Sequence, residues 1–81
     1  MKKLKYFSAS WCGPCRTFKP IIQEIASEGY DVEILDIDTY KTEAQLYGIR
    51  SVPVTIIEED GKEIGRFVGT QPKSTIINVL K

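Results

Sequence analysis

Two cysteines stand close together near the start of the chain, at Cys12 and Cys15. An ionised thiol can attack a disulfide, and a second thiol one helical turn away can resolve the mixed disulfide that forms. Gly13 and Pro14 between them suit the first turn of a helix, because the missing N–H of proline has no intrahelical partner to lose there. The residue types and their spacing therefore predict dithiol–disulfide exchange, with Cys12 at the open end of the helix.

The predicted position of Cys12 favours its thiolate form. Unpaired N–H groups and the positive end of the helix dipole stabilise an anion there, the dipole by about 0.3 to 1 kcal/mol at an exposed site. Amide hydrogen bonds to the sulfur must account for any further fall in the thiol pKa from its ordinary value of about 8.5. Pro14 stiffens this loop and favours the reduced, donating form. Trp11 precedes the nucleophile in a turn, which argues against a place in the core and predicts a flat apolar surface for docking a polypeptide.

Other uses of the cysteine pair have less support. A zinc site usually takes four nitrogen or sulfur ligands, and with two cysteines and no histidine only a dimer could complete one. A static disulfide across so small a loop would add little stability. The absence of histidine also excludes a Cys–His dyad. We expect no metal and no cofactor other than the redox-active pair Cys12–Cys15.

Length and composition limit the other classes of function. The 81 residues predict one domain, residues 1–81, and 42% hydrophobic with 27% charged residues is ordinary for a globular protein. Eleven basic and eleven acidic residues leave no basic stripe, so we expect no nucleic-acid partner. No apolar run approaches the roughly 20 residues that span a bilayer, so we expect no membrane partner. Lys5 interrupts the segment after Met1-Lys2-Lys3, so we expect no secretion signal and a cytoplasmic protein.

Hydrophobic patterning predicts the elements that hold the cysteines. Leu4–Ala9 has the pattern of a central strand, and the turn Ser10–Cys15 leads into a helix that ends near Glu28. The other predicted elements are a strand at Val32–Ile37, a short helix capped by Asp38 and Thr39 and ending near Tyr47, a strand at Val54–Ile57, a tight turn at Glu59–Lys62, a strand at Glu63–Val68, and a helix after Pro72. This order, β-α-β-α-β-β-α, indicates an α/β fold with a parallel strand pair, an antiparallel hairpin and helices on both faces.

The segment Trp11-Cys12-Gly13-Pro14-Cys15 resembles the active site of the thioredoxin family. Three further features carry the likeness: Pro20 inside the helix, the segment Tyr47–Pro53 that resembles the family's cis-proline loop, and Gly69 after the hairpin. The resemblance runs from Leu4 to the C-terminus, without the N-terminal strand and helix of full-length thioredoxins. It implies a four-stranded mixed sheet of order 2-1-3-4.

The resemblance also implies roles for these residues. Cys12 would be the attacking nucleophile and Cys15 the resolving thiol. Pro53, if cis, would present the backbone of Val52 to an extended substrate, and Gly69 would let the substrate backbone approach closely. The alternative for Pro53 is a trans proline that opens a strand. The implied activity is the reduction of protein disulfides by a monomer that takes its electrons from an NADPH-dependent thioredoxin reductase.

One departure from the family concerns the proton of Cys15. Thioredoxins carry a buried aspartate six residues before the first cysteine, and Tyr6 stands there in this chain; the family's nearby lysine is replaced by Ile34. A phenol with a pKa of about 10 can donate a hydrogen bond but is a poor base. We expect Tyr6 to lie beneath the active-site helix and to modulate Cys15. Resolution of the mixed disulfide should then track ionisation of Cys15 itself.

Two other functions remain open at this stage. Glutaredoxins have a similar length and topology, but they favour Cys-Pro-Tyr-Cys and a Gly-Gly pair followed by Thr-Asp, whereas this chain has Gly69-Thr70-Gln71. A redox-switched binding module would use the pair only to change a docking surface. Turnover of a protein disulfide with dithiothreitol separates a catalyst from such a module.

Overall fold

The computed structural model describes all residues 1–81 and contains three helices and four strands. In chain order they are β1 (Lys2–Ser8), α1 (Gly13–Ser27), β2 (Asp31–Asp36), α2 (Lys41–Leu46), β3 (Val54–Glu59), β4 (Lys62–Val68) and α3 (Lys73–Leu80). The predicted order of elements is confirmed, and the predicted bounds differ from the observed ones by a few residues. None of the helices combines the length and the apolar character that crossing a membrane requires.

The four strands form one mixed sheet in the predicted order β2-β1-β3-β4. β1 pairs in parallel with β2 and antiparallel with β3, and β3 pairs antiparallel with β4. Because β1 is central, its apolar side chains are buried on both faces: Leu4 and Tyr6 lie on one face and Phe7 on the other. The C-terminal ends of β1 and β2 coincide, with Ser8 opposite Asp36, and the cysteine loop leaves the sheet there.

Each face of the sheet is covered by helix. On one face, α1 and α3 pack against β1 and β3; the buried residues are Leu4, Tyr6, Phe18, Ile22, Ile25, Ile57, Ile76 and Leu80. On the other face, α2 contributes to a smaller cluster of Phe7, Leu35, Ala44, Val54 and Ile56. Burying one such side chain contributes about 1.5 to 3 kcal/mol. The larger cluster therefore fixes α1, and with it the segment that carries the cysteines.

The start of α2 differs from the prediction. The N-cap position is taken by Tyr40, whose side chain makes no capping hydrogen bond, rather than by Asp38 or Thr39. The carboxylate of Asp36 accepts the N–H of Asp38 at 2.8 Å, and its carbonyl accepts the N–H groups of Thr39 and Tyr40. The cap prediction was wrong because Asp36 turns the chain first, directly at the end of β2.

The hairpin between β3 and β4 closes as its sequence predicts. Asp60 and Gly61 both have positive φ angles, of 52° and 84°. A two-residue turn of this kind matches the twist of the flanking strands, and Asp-Gly is a favoured sequence for it.

Candidate active site

Cys12 is the N-cap residue of α1, with an extended backbone, and Gly13 and Pro14 form the first turn. The N–H of Cys15 donates to the Cys12 sulfur at 3.2 Å. The sulfur therefore accepts one of the unpaired N–H groups at the positive end of the helix. Cys12 and Cys15 are joined as a disulfide, with their Cα atoms 5.3 Å apart. In the reduced protein, an N–H donor in this position would favour the anionic form of the Cys12 sulfur.

The two cysteines differ in their surroundings. Cys12 is 6% exposed, and its sulfur lies 3.7 Å from the carbonyl oxygen of Val52. Cys15 is 2% exposed and packs with Ala9. Val52 and Ile37 pack against the same small cluster. Cys12 is therefore slightly more accessible than Cys15, and it is the cysteine beside the main chain of Val52.

The loop before β3 lies beside Cys12. The Val52–Pro53 peptide bond is cis, which is the isomer that the sequence resemblance implies. The carbonyl of Pro53 accepts the N–H of Gly69 at 2.8 Å, so the loop after β4 is tied to the loop before β3. Gly69 has a φ of 85°, and a Cβ atom there would meet nothing within 4 Å. Its backbone conformation favours glycine, and the space beside it is open.

Trp11 is exposed, with 65% of its surface accessible, as its place in the turn predicts. Its indole Nε1 donates to the Asp38 carboxylate at 3.0 Å, which holds the ring beside the cysteines. Sequence reasoning missed this role of Asp38 and assigned it to a helix cap. The available signal was topological, because residues that follow two neighbouring parallel strands meet at the same edge of a sheet.

Tyr6 lies beneath α1, on the face that the strand alternation predicts. Its ring meets Phe18 edge to face, with ring centres 5.7 Å apart, and its hydroxyl donates to the carbonyl oxygen of Cys15 at 2.8 Å. Burial raises the pKa of Tyr6 to about 12, so the phenol keeps its proton at neutral pH. Ile34, opposite Tyr6 in β2, brings no charge to this region. Tyr6 therefore contacts the main chain of Cys15 as a neutral donor.

The thioredoxin family model matches residues 2–81 of this chain. The chain belongs to the thioredoxin family. It is 42% identical over 77 residues to thioredoxin 1 of Synechococcus elongatus, and the alignment covers 91% of this chain and 72% of that thioredoxin. It is 37% identical over 81 residues to a thioredoxin of Staphylococcus epidermidis, covering 96% of this chain and 78% of the relative.

Solved structures of the thioredoxin family have the same fold. A mutant thioredoxin from Halobacterium salinarum superposes with a TM-score of 0.89 at 30% identity, covering 96% of this chain and 70% of that one. Fasciola hepatica thioredoxin also gives a TM-score of 0.89, at 28% identity, covering 98% of this chain and 77% of its own.

Family membership and the cysteine geometry together establish the activity. Thioredoxins are thiol–disulfide oxidoreductases, and this chain holds its Cys12–Cys15 pair at disulfide distance. The chain is accordingly a thiol–disulfide oxidoreductase, and the Cys12–Cys15 disulfide is its redox-active group. Membership implies disulfide-containing substrates and a reductase that renews the dithiol. No group of three or more His, Cys, Asp or Glu side chains in the structure could hold a metal ion.

Proposed function

We propose that this chain reduces disulfides in partner proteins, with Cys12 as the attacking thiolate and Cys15 as the resolving thiol. The observation that carries the assignment is the N-cap position of the Cys12 sulfur, which accepts the N–H of Cys15 at 3.2 Å. An acceptor at the positive end of a helix is stabilised as the thiolate, and the thiolate is the nucleophile. Cys15 lacks this position and is more deeply buried.

The exchange proceeds in two displacements. The Cys12 thiolate attacks one sulfur of the substrate disulfide, forms a mixed disulfide and releases the first substrate thiolate. Cys15 then loses its proton and its sulfur attacks that of Cys12, which breaks the mixed disulfide and releases the second substrate thiolate. The substrate gains two electrons, and the protein is left with the Cys12–Cys15 disulfide.

The substrate would lie extended beside Val52, Pro53 and Gly69. Support comes from the 3.7 Å distance between the Cys12 sulfur and the Val52 carbonyl oxygen, because a peptide held by main-chain bonds at Val52 would bring its disulfide to Cys12. The open space at Gly69 leaves room for the peptide backbone. Trp11, held by Asp38, would form an apolar side of the same groove.

An NADPH-dependent thioredoxin reductase is the proposed electron donor, and glutathione is the alternative. The identity of relatives named thioredoxin supports the reductase. A reduction assay that supplies NADPH with thioredoxin reductase in one arm and glutathione with its reductase in the other decides between the two. The single domain over residues 1–81, the monomeric state and the cytoplasmic location stay predictions from sequence.

Cysteine labelling and exchange variants test the roles of the two thiols. In the reduced protein, iodoacetamide should alkylate Cys12 much faster than Cys15 at neutral pH, as read by mass spectrometry. Cys12→Ser should abolish disulfide reduction, whereas Cys15→Ser should accumulate a mixed disulfide with the substrate. Faster labelling of Cys15 would reverse the assignment. Failure of the wild type to turn over a protein disulfide with dithiothreitol would favour a binding module instead.

A further inference from the structure

A cavity of about 150 Å³ opens beside Cys15, at the end of the sheet where β1 and β2 finish. Most of the residues that line it are polar or charged; the lining consists of Ser8, Ala9, Ser10, Cys15, Arg16, Lys19 and Asp36. A polar cavity of this size has room for several water molecules. Cys15 therefore lies beside a space that water can occupy, and none of the proposed groove residues Val52, Pro53 and Gly69 lines that space.

Asp36 is the only carboxylate in the lining. It ends β2 opposite Ser8 of β1, and its Oδ1 accepts the N–H of Asp38 at 2.8 Å. Its Oδ2 has no hydrogen bond or ion pair within the chain and can accept a hydrogen bond from water. Tyr6 cannot serve Cys15 in this way, because its hydroxyl already donates to the Cys15 carbonyl and keeps its proton.

We propose that Asp36 accepts, through water in this cavity, the proton that Cys15 loses during resolution. The Cys15 thiol gives its proton to a water molecule, which passes a proton to Asp36, while the Cys15 sulfur forms its bond to the Cys12 sulfur. The bond between Cys12 and the substrate breaks, and the substrate leaves as a thiolate with the electron pair. The proton on Asp36 then returns to solvent. The inference rests on the proposed role of Cys15 as the resolving thiol.

The charged groups around the cavity determine whether removal of the Asp36 carboxylate should speed or slow resolution by Cys15. Arg16 and Lys19 of α1 line the same space and favour the Cys15 thiolate electrostatically. Asp38 is bonded to Trp11, outside the lining. A carboxylate that acted only through its charge would oppose ionisation of Cys15, so removing it would accelerate resolution. A carboxylate that takes the proton speeds resolution, so removing it slows the step.

Stopped-flow reaction with dithiobis(nitrobenzoic acid) separates the two displacements. Attack by Cys12 releases one coloured thiolate, and resolution by Cys15 releases the second. Asp36→Asn removes the base but keeps an oxygen for the N–H of Asp38, and Asp31→Asn, exposed at the other end of β2, makes the same change of charge. Asp36→Asn should slow the second phase by roughly tenfold or more at neutral pH and leave the first phase unchanged. Asp31→Asn should match the wild type.

The pH profile and a rescue variant complete the test. The second phase of Asp36→Asn should approach the wild-type rate above about pH 8.5, where thiols ionise unaided. Asp36→Glu, which restores a carboxylate, should recover much of the neutral-pH rate. If Asp36→Asn leaves the second phase unchanged or accelerates it, the proposal for Asp36 is wrong. Both phases would still be present in that case, so the proposed function would stand. A second phase that survives in Cys15→Ser would instead contradict the proposed function.

Discussion

The hydroxyl of Tyr6 donates to the Cys15 carbonyl oxygen at 2.8 Å, inside the core beneath α1. Because burial raises the pKa of Tyr6 to about 12, this hydrogen bond persists through the whole pH range in which thiols titrate. A carboxylate in the same place would change its charge within or near that range and would perturb both cysteines. At the scale of one residue, Tyr6 therefore anchors the first turn of α1 without adding a titration of its own to the site.

Tyr6 makes a testable contribution to stability at high pH. Its folded pKa of about 12 lies above the ordinary value of about 10, so the folded state keeps the proton more tightly than the unfolded state does. The contribution of Tyr6 to the free energy of unfolding should be constant below about pH 10 and fall by up to roughly 2 to 3 kcal/mol as the pH rises towards 12. Urea unfolding at about pH 8 and about pH 11 measures the fall.

Tyr6→Phe supplies the comparison for this pH effect. Removing the hydroxyl should cost about 1 kcal/mol near pH 8, because the Cys15 carbonyl loses a partner. The variant should then lose less stability than the wild type on going to high pH, although Tyr47, whose pKa is also raised by burial, titrates in both proteins. Equal losses in the two proteins would mean that Tyr6 does not hold its proton as the structure indicates.

Residue types and spacing were enough to predict the disulfide distance between Cys12 and Cys15 and the exposure of Trp11. They did not predict that Asp36 and Asp38 lie near the cysteines, because these residues are at the end of β2 and just after it rather than in the segment that carries the motif. The sequence has no carboxylate between Met1 and Cys15. In space, the parallel pairing of β1 and β2 brings one to the Cys15 side of the fold.

At the scale of elements, periodicity predicted which segments are helix or strand and which faces are buried. Phe18, Ile22 and Ile25 of α1 recur at helical spacing and lie in the core, as expected for a helix with one apolar stripe. The ends of helices were harder to predict, because several polar residues after β2 could each form a hydrogen bond with the backbone. Before α2, it is Asp36 that binds the backbone, because the chain must turn as soon as the strand ends.

β3 contains one buried polar group that the fold does not use. Thr55 is fully buried, opposite Tyr6 of β1 and Phe67 of β4, and its hydroxyl oxygen has no hydrogen-bond partner. Burying an unpaired hydroxyl costs free energy, and valine has a similar shape and suits a strand. Thr55→Val should therefore raise the free energy of unfolding by about 1 kcal/mol, measured by urea denaturation.

A matched change at the surface controls for the general effect of replacing threonine by valine. Thr39 is exposed in the turn before α2, so Thr39→Val should change stability by less than about 0.5 kcal/mol. Thr55→Val should also leave the reactivity of Cys12 unchanged. A fall in stability in Thr55→Val would show that the Thr55 hydroxyl is hydrogen-bonded in solution, which would contradict the prediction.

At the scale of the whole molecule, α1 has two tasks at once, because its N-terminus holds the site and its middle fills the core. Patterning alone could not choose the strand order, since several orders bury the same apolar faces; the family resemblance supplied it.

Contacts between distant segments complete the arrangement. Lys73 of α3 pairs with Glu24 and Glu28 at the end of α1, and Lys2 donates to main-chain carbonyls at the end of α3. These contacts help to hold α1 in place, so the stability of the fold that supports the site depends in part on α3.

Loss of packing by α3 should lower stability without altering the chemistry of the folded protein. Ile76 is fully buried in the cluster that fixes α1, and Ile76→Ala should cost about 2 to 5 kcal/mol. A domain of this size has roughly 4 to 12 kcal/mol in total, so that loss is a large fraction of it. Leu46→Ala, 79% exposed on α2, should change stability by less than about 0.5 kcal/mol.

The measurement pairs urea unfolding with the stopped-flow assay at low temperature, where Ile76→Ala remains mostly folded. Both thiolate-release phases, corrected for the folded fraction, should match the wild type, because Ile76 lies in the core cluster and contacts neither cysteine. On warming, the variant should lose activity in step with its unfolding transition. If the first phase slowed in fully folded Ile76→Ala, the reactivity of Cys12 would depend on the exact position of α1, and the core would be tuning the nucleophile as well as supporting it.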